Sequence, residues 1–457
     1  MPLSRRDILR VNHMRSMMNK KNIWKLFYLF NWAVIAFFWF KSSGYLFSEG
    51  PSSMLIAFGR LAGFVGAYMI LLQFFLMGRM PWLEGVFGLD VLSRVHQANG
   101  KWGIVFLILH GPLLSLGYSG VSGVSVWAQF LDFIQNYDDV FEALIGLILF
   151  LVVVVTSLYI VRSRVRYEAW YAVHLIAYLA VFFSFGHQIE VGSSLTESSV
   201  FYLYWVGLYA VVFASHIVFR FIRPTYFFMR HRFEVVRVVR ESPTAVSVYM
   251  TGQDLLRFPV KPGQFMIFRF FAKGFWWQAH PFSLSKVPHG NELRITVKEL
   301  GDFTERIKDL PVGTKVFIDG PYGVFTDLFG VSSKVLFVAG GIGITPIRSL
   351  MEEMLAKGKN VVLLYGNKTA NDIVFKGELD ELSQRYGSRI LYVVSDDPAY
   401  GGEKGRIDEE KVRRLVPDYC DREVYVCGPV PMMDSVIALV KKLGVDPVRI
   451  HYEKFSF

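Results

Sequence analysis

What limits this chain most is a succession of apolar runs in its first half. Residues 23–40, 55–77, 95–118, 140–161, 171–189 and 200–222 are each close to the ~20 residues needed to cross a bilayer. Charge thins out over the same region. Through Ile222 the chain holds 16 Lys/Arg and 11 Asp/Glu, whereas the remainder, of similar length, holds 33 and 28, more than twice as many charges. Six runs in succession with so few charges between them read as transmembrane helices rather than as buried helices of a soluble protein. The second half has the charge of a water-soluble surface, and neither half has the composition of a disordered segment. Two cysteines, Cys420 and Cys427, exclude a disulfide framework and any Cys-rich metal or iron–sulfur site. The formal +10 divides into +5 and +5 without a clustered basic face, so no nucleic-acid partner is expected.

Arginine and lysine in the short connections set the orientation. Arg79 and Arg94, then Arg162, Arg164 and Arg166, lie on one side, while residues 119–139 and 190–199 on the other contain no Lys or Arg. The segments before the first run (Arg5, Arg6, Arg10, Arg15, Lys20, Lys21) and after the sixth (Arg223, Arg230, Arg232) are also basic. The expectation is an integral protein of a plasma or bacterial inner membrane, held in lipid with both termini cytoplasmic.

Ionisable groups inside spans are costly and mark function. The third span carries His96 and His110, 110 − 96 = 14 apart, and the fifth carries His174 and His187, 187 − 174 = 13 apart. Each pair is separated by roughly 20 Å along its helix axis. The two spans run in the same direction, so His96 can face His174 at one depth and His110 can face His187 at the other. Two nitrogens with no carboxylate or thiolate at the same depth make a poor cage for zinc or copper. They suit haem, which brings its own equatorial ligands. The two spacings differ in phase: the first keeps His96 and His110 on one helix face, but the second leaves His174 and His187 out of phase on an ideal helix. The fifth span must therefore twist, or the haems sit at different angles. His13, His216, His231, His289 and His451 have no such partners and read as structural.

From residue 232 the pattern changes to short β-rich runs at 233–239, 245–250, 264–270, 292–297 and 315–318, which suggest a small antiparallel barrel. After residue 333 strands alternate with helical patterns, as in a parallel α/β sheet. At the end of its first strand stands Gly340-Gly341-Ile342-Gly343-Ile344-Thr345-Pro346. Glycines at a strand-to-helix turn let backbone N–H groups approach a diphosphate, although a merely tight turn would read the same way.

His280-Pro281-Phe282-Ser283-Leu284-Ser285, Gly320-Pro321-Tyr322-Gly323, the glycine turn and Cys427-Gly428-Pro429 stand in the order of the ferredoxin–NADP reductase-like flavoprotein module. Behind six spans with paired histidines, the whole chain from about residue 23 resembles the NADPH oxidase and ferric reductase superfamily. The resemblance implies a multidomain protein: a basic N-terminus (1–22), a six-helix transmembrane haem-binding domain (23–222), an antiparallel β-barrel FAD-binding domain (230–328) and an α/β NAD(P)H-binding domain (333–457). It also implies that His280 to Ser285 line the flavin, with Ser283 hydrogen-bonding it. Lys298, Gly301 and Thr304 would hold the FAD diphosphate; Lys stands where the oxidases have Arg, which keeps the charge but loses the fork. Gly340, Gly341, Gly343, Thr345 and Pro346 would cradle the NAD(P)H diphosphate, and Cys427, Gly428 and Pro429 would border the nicotinamide.

The terminal Phe457 resembles the aromatic that shields the flavin, or is an ordinary packed chain end. Arg60 matches the oxidases' arginine near the outer haem and oxygen pocket, or pairs a haem propionate. Lys368 could meet a 2′-phosphate, favouring NADPH over NADH, or could be a solvated surface lysine. The oxidases carry a further His four residues after the outer ligand of the third span; here that position is Leu114, which counts against direct superoxide formation. The implied cofactors are FAD, two haem b and NADPH or NADH. The implied function is transfer of cytoplasmic electrons to dioxygen or a ferric chelate outside. Two alternatives remain at this point: electron donation to an extracytoplasmic partner protein, and a haem-binding sensor or transport protein.

Overall fold

The computed structural model describes residues 5–158, 162, 164–288, 290–327 and 332–454. These divide into two compact units. One comprises Lys20–Arg79 and Val91–Val218; the other comprises Met1–Asn19, Met80–Asp90 and Phe219–Phe457. Among the described residues, six helical stretches are long and apolar enough to cross a membrane.

The first unit is a helical bundle built from α1 (Arg5–Ser43, from Lys20 on), α2 (Pro51–Leu76), α4 (Leu89–Ser122, from Val91 on), α5 (Val126–Asn136), α6 (Val140–Ser157), α7 (Tyr167–His174), α8 (Ala177–Glu190) and α9 (Ser199–His216). Its interior is aromatic. Phe201 and Trp205 are wholly enclosed, with Tyr68, Phe74, Phe150 and Tyr209 around them. Its exterior is apolar too: Leu26, Leu29, Phe30, Phe37, Phe182 and Leu203 are exposed, which water would penalise and hydrocarbon favours. Backbones approach closely where α2 meets α4. A Cβ added at Gly59, Gly63 or Gly66 would lie 2.8, 2.7 or 2.6 Å from Leu114, His110 or Leu107, so only glycine permits this contact.

The fifth span is not one helix. It ends as α7 at His174, turns through Leu175 and Ile176, and resumes as α8 at Ala177. Both turn residues keep right-handed helical angles and are spanned by i→i+3 hydrogen bonds, a local tightening that turns the helix after His174.

In the second unit, α3 (Pro81–Phe87), α10 (Arg223–His231) and α11 (Asp302–Arg306) accompany the strands of two sheet systems. Strands β1 (Glu234–Ser242), β2 (Ala245–Thr251) and β5 (Glu292–Lys298) form one antiparallel sheet, ordered β1-β2-β5. Strands β3 (Phe265–Phe270), β4 (His280–Ser283) and β6 (Val316–Tyr322) form another, ordered β4-β3-β6. Single bridges Leu284–Ile295 and Glu234–Lys315 join them at both edges. Hydrogen bonding therefore runs β1-β2-β5-β4-β3-β6 and back to β1, over a core that includes Phe233, Phe268, Phe270, Leu284 and Ile295. Strand β4 coincides with the His280 motif and lies among the runs expected from sequence only as that motif.

The remainder is a six-stranded parallel sheet ordered β10-β9-β8-β7-β11-β12, with β7 (Lys334–Gly340), β8 (Asn360–Asn367), β9 (Arg389–Val394), β10 (Glu403–Lys404), β11 (Glu423–Cys427) and β12 (Ile450–Tyr452). Helices α12 (Ile344–Ala356), α13 (Lys376–Tyr386), α14 (Glu409–Leu415) and α15 (Val430–Lys442) connect them. Chain order reverses at β7, which pairs with β8 on one side and β11 on the other. That reversal is where ligands settle in open α/β sheets.

Candidate functional site

In the helical unit the four span histidines meet in two pairs. The His96 and His174 rings have centroids 6.0 Å apart, and those of His110 and His187 are 6.5 Å apart. Two imidazoles bonded to one metal from opposite sides, each at about 2.0 Å, put their centroids roughly 6.3 Å apart. Both pairs have that spacing. His110 is also oriented: its Nδ1–H donates to the Gly59 carbonyl at 2.8 Å, which leaves Nε2 as the ligating nitrogen. His174 Nδ1 lies 3.4 Å from Ser157 Oγ, which also accepts the Trp170 indole N–H. His96 Nδ1 and His187 Nδ1 are buried without a hydrogen-bond partner. Among the described residues no group of three or more His, Cys, Asp or Glu could hold a metal ion. The pairs thus fit an ion that brings its own equatorial ligands, as haem does.

His110 and His187 line one cavity of about 310 Å³ together with Arg60, Leu114, Tyr118 and Gln188. Arg60 reaches Tyr118 Oη at 3.2 Å and Ser43 Oγ at 3.5 Å. Its guanidinium is thus held in the cavity by hydroxyls, with no carboxylate among these partners, and is available to an anionic group. Three further histidines have packing roles, while His289 and the side chain of His13 lie outside the described residues. His216 bonds the Phe74 carbonyl and Tyr178, His231 the Gln253 carbonyl, and His451 pairs with Glu423 at 2.7 Å.

In the second unit the flavin motif divides. His280, Phe282 and Ser283 are half-buried and Pro281 is exposed, with the His280 ring 3.9 Å from that of Phe303. Leu284 and Ser285, also expected to line the flavin, are 0% exposed. Leu284 belongs to the barrel core. Ser285 Oγ accepts from Arg294 Nε at 3.0 Å and from Thr296 Oγ1 at 2.8 Å. Lys298 ends β5 half-buried. The Thr304 hydroxyl closes its own turn, accepting the Leu300 and Gly301 N–H groups, so Gly301 and Thr304 shape the loop behind Lys298.

Register sets Ala339 beside Cys427, so the glycine turn and Cys427-Gly428-Pro429 adjoin at the sheet's reversal point. Two of the three glycines serve that contact. A Cβ at Gly343 would strike the Cys427 carbonyl, and one at Gly340 the Met432 sulfur. Gly341, at φ +50°, faces open space and is the one positioned for close approach of a ligand. Thr345 and Pro346 are buried at the start of α12. Burial, with a lesser effect of Glu453, pushes the Cys427 thiol up to about 12, so it stays neutral at the sheet end. Lys368 is exposed just after β8. Phe457 lies outside the described residues.

Residues 62–185 match the family described as ferric reductase like transmembrane component. Residues 232–326 match a FAD-binding domain, and residues 337–437 the oxidoreductase NAD-binding domain. Together the three matches give the chain the domain architecture of the NADPH oxidase and ferric reductase superfamily. Its second unit carries the FAD-binding and oxidoreductase NAD-binding domains.

Three curated relatives resemble about half of this chain. The glycine betaine monooxygenase reductase subunit of Chromohalobacter salexigens is 31% identical over 242 residues, 50% of this chain and 64% of its own length. The flavohemoprotein of Candida albicans is 34% identical over 236 residues, 48% of this chain and 58% of its own. The probable dihydroorotate dehydrogenase B (NAD(+)), electron transfer subunit of Methanothermobacter thermautotrophicus is 32% identical over 223 residues, 49% of this chain and 77% of its own. The chain thus spans under two thirds of the length of the first two.

For a ferric reductase-like bundle, sequence reading missed the residues that set the ligands' distance. Gly59 supplies the carbonyl that orients His110, and Gly63 leaves room for its ring. The visible signal was the four-residue spacing from Gly59 to Gly63, which repeats the small-residue pattern of closely packed spans. Leu114, where the oxidases keep a histidine, packs on Gly59 and lines the cavity.

Proposed function

We propose that this chain carries electrons from cytoplasmic NAD(P)H through FAD and two haems, held by His96/His174 and His110/His187, to a small acceptor on the outer face. The observation that carries the reading is the pair of imidazole spacings, 6.0 and 6.5 Å, on one bundle in a chain with FAD- and NAD-binding domains. FAD, when bound, accepts a hydride and passes electrons on singly, and the haems relay them. The protein's own residues place and insulate these groups. Histidines fix the ligation axis, Gly59 fixes the His110 tautomer, and the aromatic interior around Trp205 excludes water. Arg60, held by Tyr118 and Ser43, orients either a haem propionate or an anionic acceptor. The arginine-rich connections support a cytoplasmic location for both termini. Relatives named as reductase and electron transfer subunits support an electron-delivering role for the second unit.

Leu114 lines the outer pocket where the oxidases keep a histidine, and the absence of that histidine supports ferric chelate over dioxygen as the acceptor. Trp127, 67% exposed on α5, gives the partner-protein alternative its one supporting observation. Purified full-length protein supplied with NADPH and either ferric chelate or dioxygen separates these readings. Faster turnover with the chelate is expected, without superoxide. Turnover with neither acceptor would exclude both and leave the partner protein.

Gly63→Val tests the packing directly. A Cβ at this position lies 2.7 Å from His110 Cε1 and Nδ1, so the larger side chain is expected to displace the ring. Pyridine haemochrome assay should then find one haem per chain in place of two, with FAD content unchanged.

A further inference from the structure

Three departures from regular helix meet at one histidine of the bundle. The first is the end of α2: the Gly78 N–H, which would bond the Phe74 carbonyl if the helix ran on, bonds Phe75 instead. The second is the turn at Leu175–Ile176, closed by the Ile176 N–H on the Val173 carbonyl and the Tyr178 N–H on the Leu175 carbonyl. The third is the π-helical turn that begins at Ile217, directly after α9. A carbonyl left over at a helix end takes its partner from elsewhere, and π-helical turns often mark functional sites.

His216, the last residue of α9 and 3% exposed, joins all three. Its Nε2 lies 2.5 Å from the Phe74 carbonyl oxygen, and its Nδ1 lies 3.0 Å from Tyr178 Oη. A carbonyl only accepts, so Nε2 carries the hydrogen; in the neutral ring Nδ1 then accepts the Tyr178 O–H. The rings pack as well, with the Phe74 centroid 5.0 Å from that of Tyr178 and 5.8 Å from that of His216. One imidazole thus ties the end of α2 and the start of α8 to the end of α9.

Tyr178 stands four residues after His174, on the far side of the turn. The His174 ring contact with Ser157 Oγ is long, 3.4 Å against 2.8 Å for His110 on the Gly59 carbonyl. Ser157 gives its hydrogen to the Val153 carbonyl and accepts the Trp170 N–H. The aim of the His174 ring therefore leans on the backbone that carries it, and Tyr178 holds that backbone one turn on.

We propose that His216 is a positioning residue for His174: by holding Tyr178 against the end of α2 it fixes the turn at Leu175–Ile176, and the turn sets the angle at which His174 meets a haem shared with His96. The fixing of the turn stands on the hydrogen bonds alone, while its bearing on haem rests on the electron path proposed above. The His96 and His174 ring planes are 58° apart, and the electron paramagnetic resonance of a ferric bis-imidazole haem responds to that angle. His187 lies 187 − 178 = 9 residues further along α8, away from the turn, so the effect falls on one haem of the two.

Tyr178→Phe removes one hydroxyl and keeps the ring packing. His216→Leu removes both bonds, while His216→Gln keeps one N–H donor and one carbonyl acceptor. His187→Leu, which leaves only the His96/His174 haem, assigns the resonances. In the two-haem protein, Tyr178→Phe and His216→Leu should move the low-spin ferric signal of the His96/His174 haem and leave the other in place, and His216→Gln should return it towards the parent position. Transfer of that haem to excess apomyoglobin should quicken about tenfold in His216→Leu, the low end for groups that orient metal ligands. Movement of both signals, or of neither, would overturn the positioning role. Hydrogen exchange in full-length protein prepared under haem limitation reads the turn by itself: amides of residues 174–178 should exchange about tenfold faster in Tyr178→Phe, the effect of one lost hydrogen bond. Unchanged exchange there would overturn the fixing of the turn. Parent protein without a bis-histidine haem would refute the electron path, and the exchange result would still decide whether His216 fixes the turn.

Discussion

His187→Leu should leave one haem per chain where the parent holds two, and should reduce ferric-chelate reduction by more than about a hundredfold. Changes to the groups that orient metal ligands already cost about 10- to 100-fold, and on the proposed assignment this substitution removes a ligand outright. Its partner His110 stays oriented by Gly59, so the loss falls on ligation and not on packing. The remaining pair lies roughly 20 Å away along α4, a gap that the outer site exists to divide. FAD reduction by NADPH depends only on the second unit and should persist. Haem assay and stopped-flow flavin bleaching read the two effects separately, and retention of two haems would refute the assignment of His187.

Glu378→Ala should destabilise the FAD/NAD(P)H unit by about 3–5 kcal/mol, the range found when one partner of a buried ion pair is removed. The Arg294 side chain is 1% exposed and makes two contacts with Glu378, at 2.5 and 3.0 Å. Arg348 reaches the same carboxylate at 2.8 Å and also pairs with Glu352. Burial alone would raise the Glu378 carboxyl, yet the hydrogen bond and charge of Arg294, then of Arg348, hold it below the usual range. Its contribution is therefore present above the unfolded-state value and is lost as pH falls through the folded one. Through Arg294 the network also holds Ser285, joining β5 of the flavin domain to α13 of the nucleotide domain. Without Glu378, Arg294 is left charged and enclosed. The double variant Arg294→Met/Glu378→Ala should cost less than Glu378→Ala alone, because both charges go together. Thermal unfolding followed by tryptophan fluorescence reads both variants, and simple additivity would contradict the network.

The membrane half was legible because its signals are local. Long apolar runs and the regular spacing of His96 from His110 and of His174 from His187 can be counted in one dimension. The break at Leu175–Ile176 could not be read directly, since Val173 to Tyr178 continues as good helical sequence; the spacing of His174 from His187 was its trace, an inconsistency with a straight helix. The FAD and NAD(P)H motifs gave the order of domains but not which of their residues face outward. Leu284 and Ser285 sit inside a recognisable motif, yet strand alternation and the Arg294 network turn them into the interior. Gly340 and Gly343, read as phosphate-binding residues, also make room for β11 and α15, a constraint the motif does not reveal. Contacts such as Arg294 with Glu378, 84 residues apart, or Glu84 with Gly323, 239 apart, leave no periodic signal. They depend on how the β-barrel and the parallel sheet are brought together, which only the folded chain displays.

Anaerobic addition of NADPH to the purified full-length protein, followed by optical spectroscopy, tests the central claim most directly. Two b-type haems per FAD, both reduced by NADPH in the absence of oxygen, are the expected result. Protein that binds FAD but no haem, or haem that stays oxidised after the flavin is reduced, would contradict it.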